Sequence, residues 1–177
     1  IMKEDELIDL AKEIYQNHKE ALDFIFDNKP DRLSDVLNII CAEIENEGYV
    51  LASLNKGYAR FLTKELNMII PKTGNGWKNR ESFTFEIDFW PKKITFKTVI
   101  SPGNEQVRKI LSECLVKIPN ATNPRGASWL VHHSNKKKVD VTDDKYENDE
   151  LLKKEIKDLL SQNKELISLI EKEILKR

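Results

Sequence analysis

Cysteine is scarce in this 177-residue chain: only Cys41 and Cys114 are present. Both fall in segments read as helices and neither has metal-ligand spacing. That excludes a disulfide framework and fits a reducing, cytoplasmic setting. Net charge is nearly absent as well, since 29 Lys and Arg face 30 Asp and Glu. Long-range attraction to nucleic acid or to an anionic membrane is therefore not expected from net charge, which leaves only local basic patches. No apolar run approaches the roughly 20 residues that span a bilayer, so no membrane partner is expected, and no secretory signal is visible. HExxH, paired CxxC, GxSxG and the GxxxxGK[ST] phosphate loop are all missing, and no cofactor is expected. There is no internal repeat and no low-complexity tract.

What remains is an ordinary globular composition, 40% apolar and 33% charged, long enough for one domain with a core. Residues 3 to 28 carry Leu7, Leu10, Ala11, Ile14, Leu22 and Ile25 at helical steps, and Pro30 ends the pattern. A second helix is expected over 31 to 47, closed by Gly48. Residues 49 to 81 read less clearly, as a binding loop or a surface connection, with a short helix over Tyr58 to Leu66. In Thr73-Gly-Asn-Gly-Trp77 the two glycines and the asparagine favour positive φ.

The clearest stretch is residues 83 to 100. Phe83, Phe85, Ile87 and Phe89 alternate with Thr84, Glu86 and Asp88, which is the period of a half-buried strand. A turn at Pro91-Lys92-Lys93 leads to a second strand with Ile94, Phe96, Thr98 and Ile100 on one face. Ser101 to Asn104 then caps a helix running to about Val116. A third strand is expected over 127 to 133 and a fourth near Val139, followed by a charged connection. The C-terminal helix, 150 to 176, places Leu152, Ile156, Leu159, Asn163, Leu166 and Ile170 at heptad-like spacing. That seam serves either the chain's own core or a homodimer. The expected fold is a single α+β domain over residues 1–177: a small antiparallel sheet of three to four strands packed with helices, with long helices at both ends.

Three kinds of chemistry merit weighing. Glu86, Asp88 and Lys97 on one hairpin are the residue types of a metal-dependent nuclease, in which close carboxylates hold a cation and a lysine meets the phosphate. The acid two residues before Lys97 is replaced by Thr95, however, and a cross-strand ion pair accounts for the same charges. Glu155-Ile-Lys157 has the triplet's spacing but falls in a helix. His18 lies beside an apolar helical stripe, while adjacent His132 and His133 point to opposite faces of a strand and cannot grip one metal together. Nucleic-acid binding has more support. Lys72, Trp77, Lys78 and Arg80 set cations beside an aromatic in one loop, and Lys136, Lys137 and Lys138 form a second basic run. Cations neutralise phosphates and tryptophan stacks on bases. Asp140, Asp143 and Asp144 follow the lysine run closely, as in a solvated charged loop.

Ile14-Tyr-Gln-Asn-His18-Lys-Glu-Ala-Leu-Asp-Phe-Ile25 resembles a helix that follows the catalytic domain in a bacterial group of PD-(D/E)XK-superfamily proteins. The hairpin, Ile100-Ser-Pro-Gly103 and the helix containing Arg108 resemble the region downstream. The likeness covers about the first two-thirds of the chain. It implies a non-catalytic accessory domain of a nuclease-like protein, serving nucleic-acid or partner recognition, with an upstream nuclease domain outside this chain. Ile1 preceding Met2 fits such an excised piece. No catalytic residue carries over. The alternatives are an interaction or oligomerisation module built on the C-terminal helix, and a metal-dependent hydrolase on the 83 to 100 hairpin.

Overall fold

The computed structural model describes residues 4–28, 31–90, 92–124, 126–141, 143–146 and 148–177. Where the sequence reads as one domain, the backbone divides into two compact units, Ile1–Asp31 and Arg32–Arg177. In the first, the expected single helix is two: α1 (Glu4–Asn17) and α2 (Lys19–Asp27) meet at His18, whose backbone leaves the helical region at φ −126°. Tyr15 Oη donates to the Asp23 carboxylate at 2.7 Å and ties α1 to α2, while Lys19 Nζ donates to the same carboxylate at 2.8 Å from within α2. Neither helix has a buried residue.

The second unit is built on an antiparallel sheet. Among the described residues it has five strands in the order β1-β2-β3-β4-β5: β1 (Val50–Leu51), β2 (Tyr58–Leu62), β3 (Phe83–Trp90), β4 (Lys93–Ile100) and β5 (Ser134–Lys137). Helices α3 (Arg32–Asn46), α4 (Lys64–Ile69), α5 (Glu105–Leu115) and α6 (Asp149–Ile174) accompany it. The α+β class and the 83 to 100 hairpin match expectation, and the sheet is wider than three to four strands. Tyr58-Ala-Arg-Phe-Leu62 has residues that suit a helix, yet it pairs along β3, Arg60 opposite Glu86 and Phe61 opposite Phe85. The short helix begins only after it, capped by Thr63 Oγ1 accepting from Leu66 N at 3.2 Å. The strand expected over 127 to 133 instead runs from 134 to 137. Upstream, Leu130 forms an isolated bridge with Ile100, Thr98 N donates to His133 O, and His133 N donates to Thr98 Oγ1.

Strand alternation divides the sheet into two chemically different faces. Phe61, Phe85, Ile87, Phe96 and Ile94 form the apolar face and join Val36, Ile40 and Ile44 of α3 and Leu152, Ile156, Leu159 and Ile170 of α6 in one core. Phe85 stands among Phe61, Phe83 and Phe96, with ring centres 5.2 to 5.9 Å apart. The C-terminal seam is thus spent inside the chain. Asn163 is fully buried; its Nδ2 donates to Leu159 O at 2.7 Å and its Oδ1 accepts from Asn135 of β5.

Candidate functional site: the polar face of the sheet

The opposite face carries the charges of the hairpin. Register sets them in rows: Arg60, Glu86, Lys97 and Ser134 in one, and Tyr58, Asp88, Thr95 and Lys136 in the next. Glu86 and Asp88 are nearly as buried as the phenylalanines behind them, at 5% and 3% exposure. Each is engaged by a cation. Arg60 Nε donates to Glu86 Oε2 at 2.7 Å, and Lys97 Nζ pairs with Asp88 Oδ2. Among the described residues no three His, Cys, Asp or Glu gather where they could hold a metal ion. The helical Glu155-x-Lys157 triplet is drawn elsewhere, Glu155 to Lys137 and Lys157 to Glu43.

Two tryptophans cover this face. Trp77 and Trp129 have ring centres 5.2 Å apart at 43°. The Arg60 guanidinium lies 4.9 Å from the Trp77 ring centre and 5.1 Å from that of Tyr58, which are cation–π distances. Arg60, Trp77, Glu86, Lys97, Trp129 and Val131 line a cavity of about 410 Å³. Trp129 and Val131 also line an adjoining cavity of about 620 Å³ that reaches Ser134 and Lys136. The loop and the basic run singled out in the sequence, nearly sixty residues apart, therefore meet at Trp129.

The loop bearing Trp77 is held from several sides. Buried Glu81 accepts from Ser53 N and Ser53 Oγ at 3.1 and 2.8 Å, and Ser53 Oγ in turn accepts from Asn79 N. Gly74 and Gly76 do not have the positive φ expected of them; in this loop that conformation belongs to Arg80, at φ 60°. They serve close approach instead. A Cβ on Gly74 would lie 2.3 Å from the Glu81 carbonyl, and one on Gly76 would lie 2.1 Å from the Trp129 ring. Trp129 is positioned from α5, where Arg108 donates through Nη2 to the carbonyls of Ala127 and Ser128 at 2.6 and 3.0 Å. Replacing Gly76 with valine is expected to push Trp129 off its seat, seen as a change in tryptophan fluorescence while the fold persists. Unaltered emission would mean that the ring is not held by this contact.

The seven candidate binding residues are not equivalent. Lys72, Lys78, Arg80, Lys136 and Lys138 are exposed, and Trp77 forms part of the cavity. Arg80 Nε donates weakly to Gly74 O at 3.4 Å. Lys137 points to the apolar face and pairs with Glu155 and Asp158 of α6. Burial works against its charge, but those two acids hold its pKa above the ordinary lysine value. Arg60 and Trp129 were not legible as site residues. Arg60 lies in a stretch that reads locally as a helix and reaches the polar face only through its pairing with Glu86, and Trp129 lies in a segment with no motif.

Burial raises the Glu86 pKa above its ordinary 4.5, against the pull of Arg60 and Lys97. The folded state therefore holds that proton more tightly than the unfolded chain. Stability from this group is full below pH 4.5 and declines as pH rises through the elevated value. A carboxyl NMR titration, with Glu86→Gln identifying the resonance, should show Glu86 titrating above 4.5. A midpoint at or below that value would contradict the account.

Comparison with protein-family models, curated proteins and solved structures returns no match.

Proposed function

We propose that Arg32–Arg177 is a recognition module that binds single-stranded nucleic acid on the polar face of its sheet. The observation that carries this reading is the Trp77–Trp129 pair, which opens on one cavity lined by Arg60 and Lys97 and, across Trp129, on an adjoining one lined by Lys136. A base stacks on exposed tryptophan, and nearby cations follow the phosphates; each stacked base contributes about 1–3 kcal/mol. Lys78 and Arg80 on the Trp77 loop add phosphate contacts from the rim. Buried Glu86 and Asp88 hold the two inner cations in place and act as a scaffold. The resemblance of the 14 to 25 and 85 to 108 segments supports the wider role of a non-catalytic accessory domain in a nuclease-like bacterial protein.

The test is a titration of labelled single- and double-stranded DNA and RNA at two salt concentrations, with and without Mg²⁺, with the same samples run on a gel for cleavage. Salt-sensitive binding of single strands without cleavage is expected. Trp129→Ala should weaken it about tenfold or more. Lys78→Ala/Arg80→Ala should weaken it modestly and flatten its salt dependence. No binding at low salt would remove the proposal, and metal-dependent cleavage would favour the hairpin as a hydrolase.

A further inference from the structure

Behind β5, on the α6 side, a cleft of about 510 Å³ opens between the segment after α5 and α6. His133 reaches it from the β5 end and is buried, at 4% exposure. Neither of its ring nitrogens makes a hydrogen bond of good geometry, although the Ile118 and Pro119 carbonyls lie close enough to favour its charged form. Burial outweighs them and lowers the His133 pKa, so the ring is neutral at pH 7, with one donor and one acceptor nitrogen. Its neighbour differs. His132 is satisfied, Nε2 with Ser112 Oγ at 2.9 Å and Nδ1 with Thr122 O at 3.2 Å. A buried imidazole without partners lowers stability unless something meets it.

The rest of the lining says what would meet it. Among the described residues the cleft is lined by no lysine or arginine and by one carboxylate, the exposed Glu165, so an anion has no counter-charge there, and one imidazole without a second nitrogen or sulfur ligand does not make a transition-metal site. Gln162 offers an exposed amide, donor and acceptor side by side. Ile118 and Pro119 on one wall, and Leu166 and Leu169 of α6 on the other, present apolar edges. The volume lies in the range of about 300–1,000 Å³ usual for small-molecule sites. A flat heterocycle with an N–H beside a ring nitrogen or carbonyl matches both needs: its faces lie against the apolar walls while its edge meets His133 and Gln162, and glutamine amides pair with such edges.

The geometry points to this cleft as a second binding site, for a neutral nucleobase or nucleoside. It is lined by none of the tryptophans, although Thr122, Ser134 and Asn135 also line the cavity beside Trp129, so the two sites adjoin at β5.

The experiment titrates the full chain with adenosine, guanosine, cytidine and uridine separately, following the imidazole resonances of His18, His132 and His133 by NMR. At least one nucleoside should shift His133 in a saturable way and leave His18 unmoved. Gln162→Ala and Leu169→Trp, both at exposed positions of α6, should weaken that binding about tenfold, the second by filling the cleft. Trp129→Ala should leave it unchanged, which separates this site from the strand-binding face. His133→Ala should abolish it; should that variant fail to fold, the two helix variants decide. The inference is overturned if no nucleoside shifts His133. It is equally overturned if binding survives Gln162→Ala and Leu169→Trp, or is lost in Trp129→Ala alone.

Discussion

Replacing Arg60 with alanine is expected to cost about 3–5 kcal/mol of folding stability, because it leaves the Glu86 carboxylate buried without its partner. Both side chains are more than nine-tenths buried, and the bond between them is short and direct at 2.7 Å. The loss should appear as a lower urea midpoint with an unchanged slope. Replacing both residues, Arg60→Met with Glu86→Leu, should recover most of it, since an apolar pair of similar volume needs no desolvation. A single variant within about 1 kcal/mol of the parent would show that water reaches Glu86 and that the pair is not buried as described. The double variant also separates scaffold from site. It should fold and yet bind single strands poorly, having lost the cation beside Trp77.

Leu159→Asp is expected to abolish the cooperative unfolding transition. Leu159 is 1% exposed on α6 and belongs to the core shared with the sheet. An aspartate there is a buried charge with no partner, a change that costs more than about 4 kcal/mol out of a total stability of about 5–15 kcal/mol. Circular dichroism and size exclusion together give the answer. A folded, soluble chain of smaller apparent mass would mean that the helix seam joins two molecules. Loss of structure is the outcome that follows from a seam facing the chain's own sheet.

The heptad-like spacing of α6 shows how far a pattern reaches. Spacing alone states that Leu152, Ile156, Leu159, Asn163 and Ile170 share a stripe; it does not state what covers the stripe. The structure covers it with β4 and α3, and gives Asn163 a partner in Asn135 that no spacing rule could find, because the two amides are 28 residues apart. The hairpin was readable for the opposite reason. Its two strands are adjacent in sequence, their alternation is strong, and the turn between them is short, so local information suffices.

The polar face was legible in pieces. Glu86, Asp88 and Lys97 stood out as charges on alternating strand positions, and Trp77 as an aromatic among cations. Arg60 did not, since Tyr58-Ala-Arg-Phe-Leu62 is locally ambiguous and becomes a strand only by pairing with β3. The glycines at 74 and 76 were visible as loop residues, but the reason for them was not. Steric contact with Glu81 and Trp129 involves atoms that only the folded chain brings near.

From the sequence alone come the α+β class, the hairpin, the helix limits near Gly48 and Asn104, and two short basic segments, all of which rest on periodicity and turn chemistry within a few residues. Tertiary structure alone decides that β5 is shifted to residues 134 to 137, that Lys136 lines the cavity beside Trp129 while Lys137 faces α6, and that His133 is buried beside a cleft with no hydrogen bond of good geometry. The physical reason is the two-residue period of a strand: a shift of one residue moves every side chain to the other face, and only the pairing of β5 with β4 sets that register.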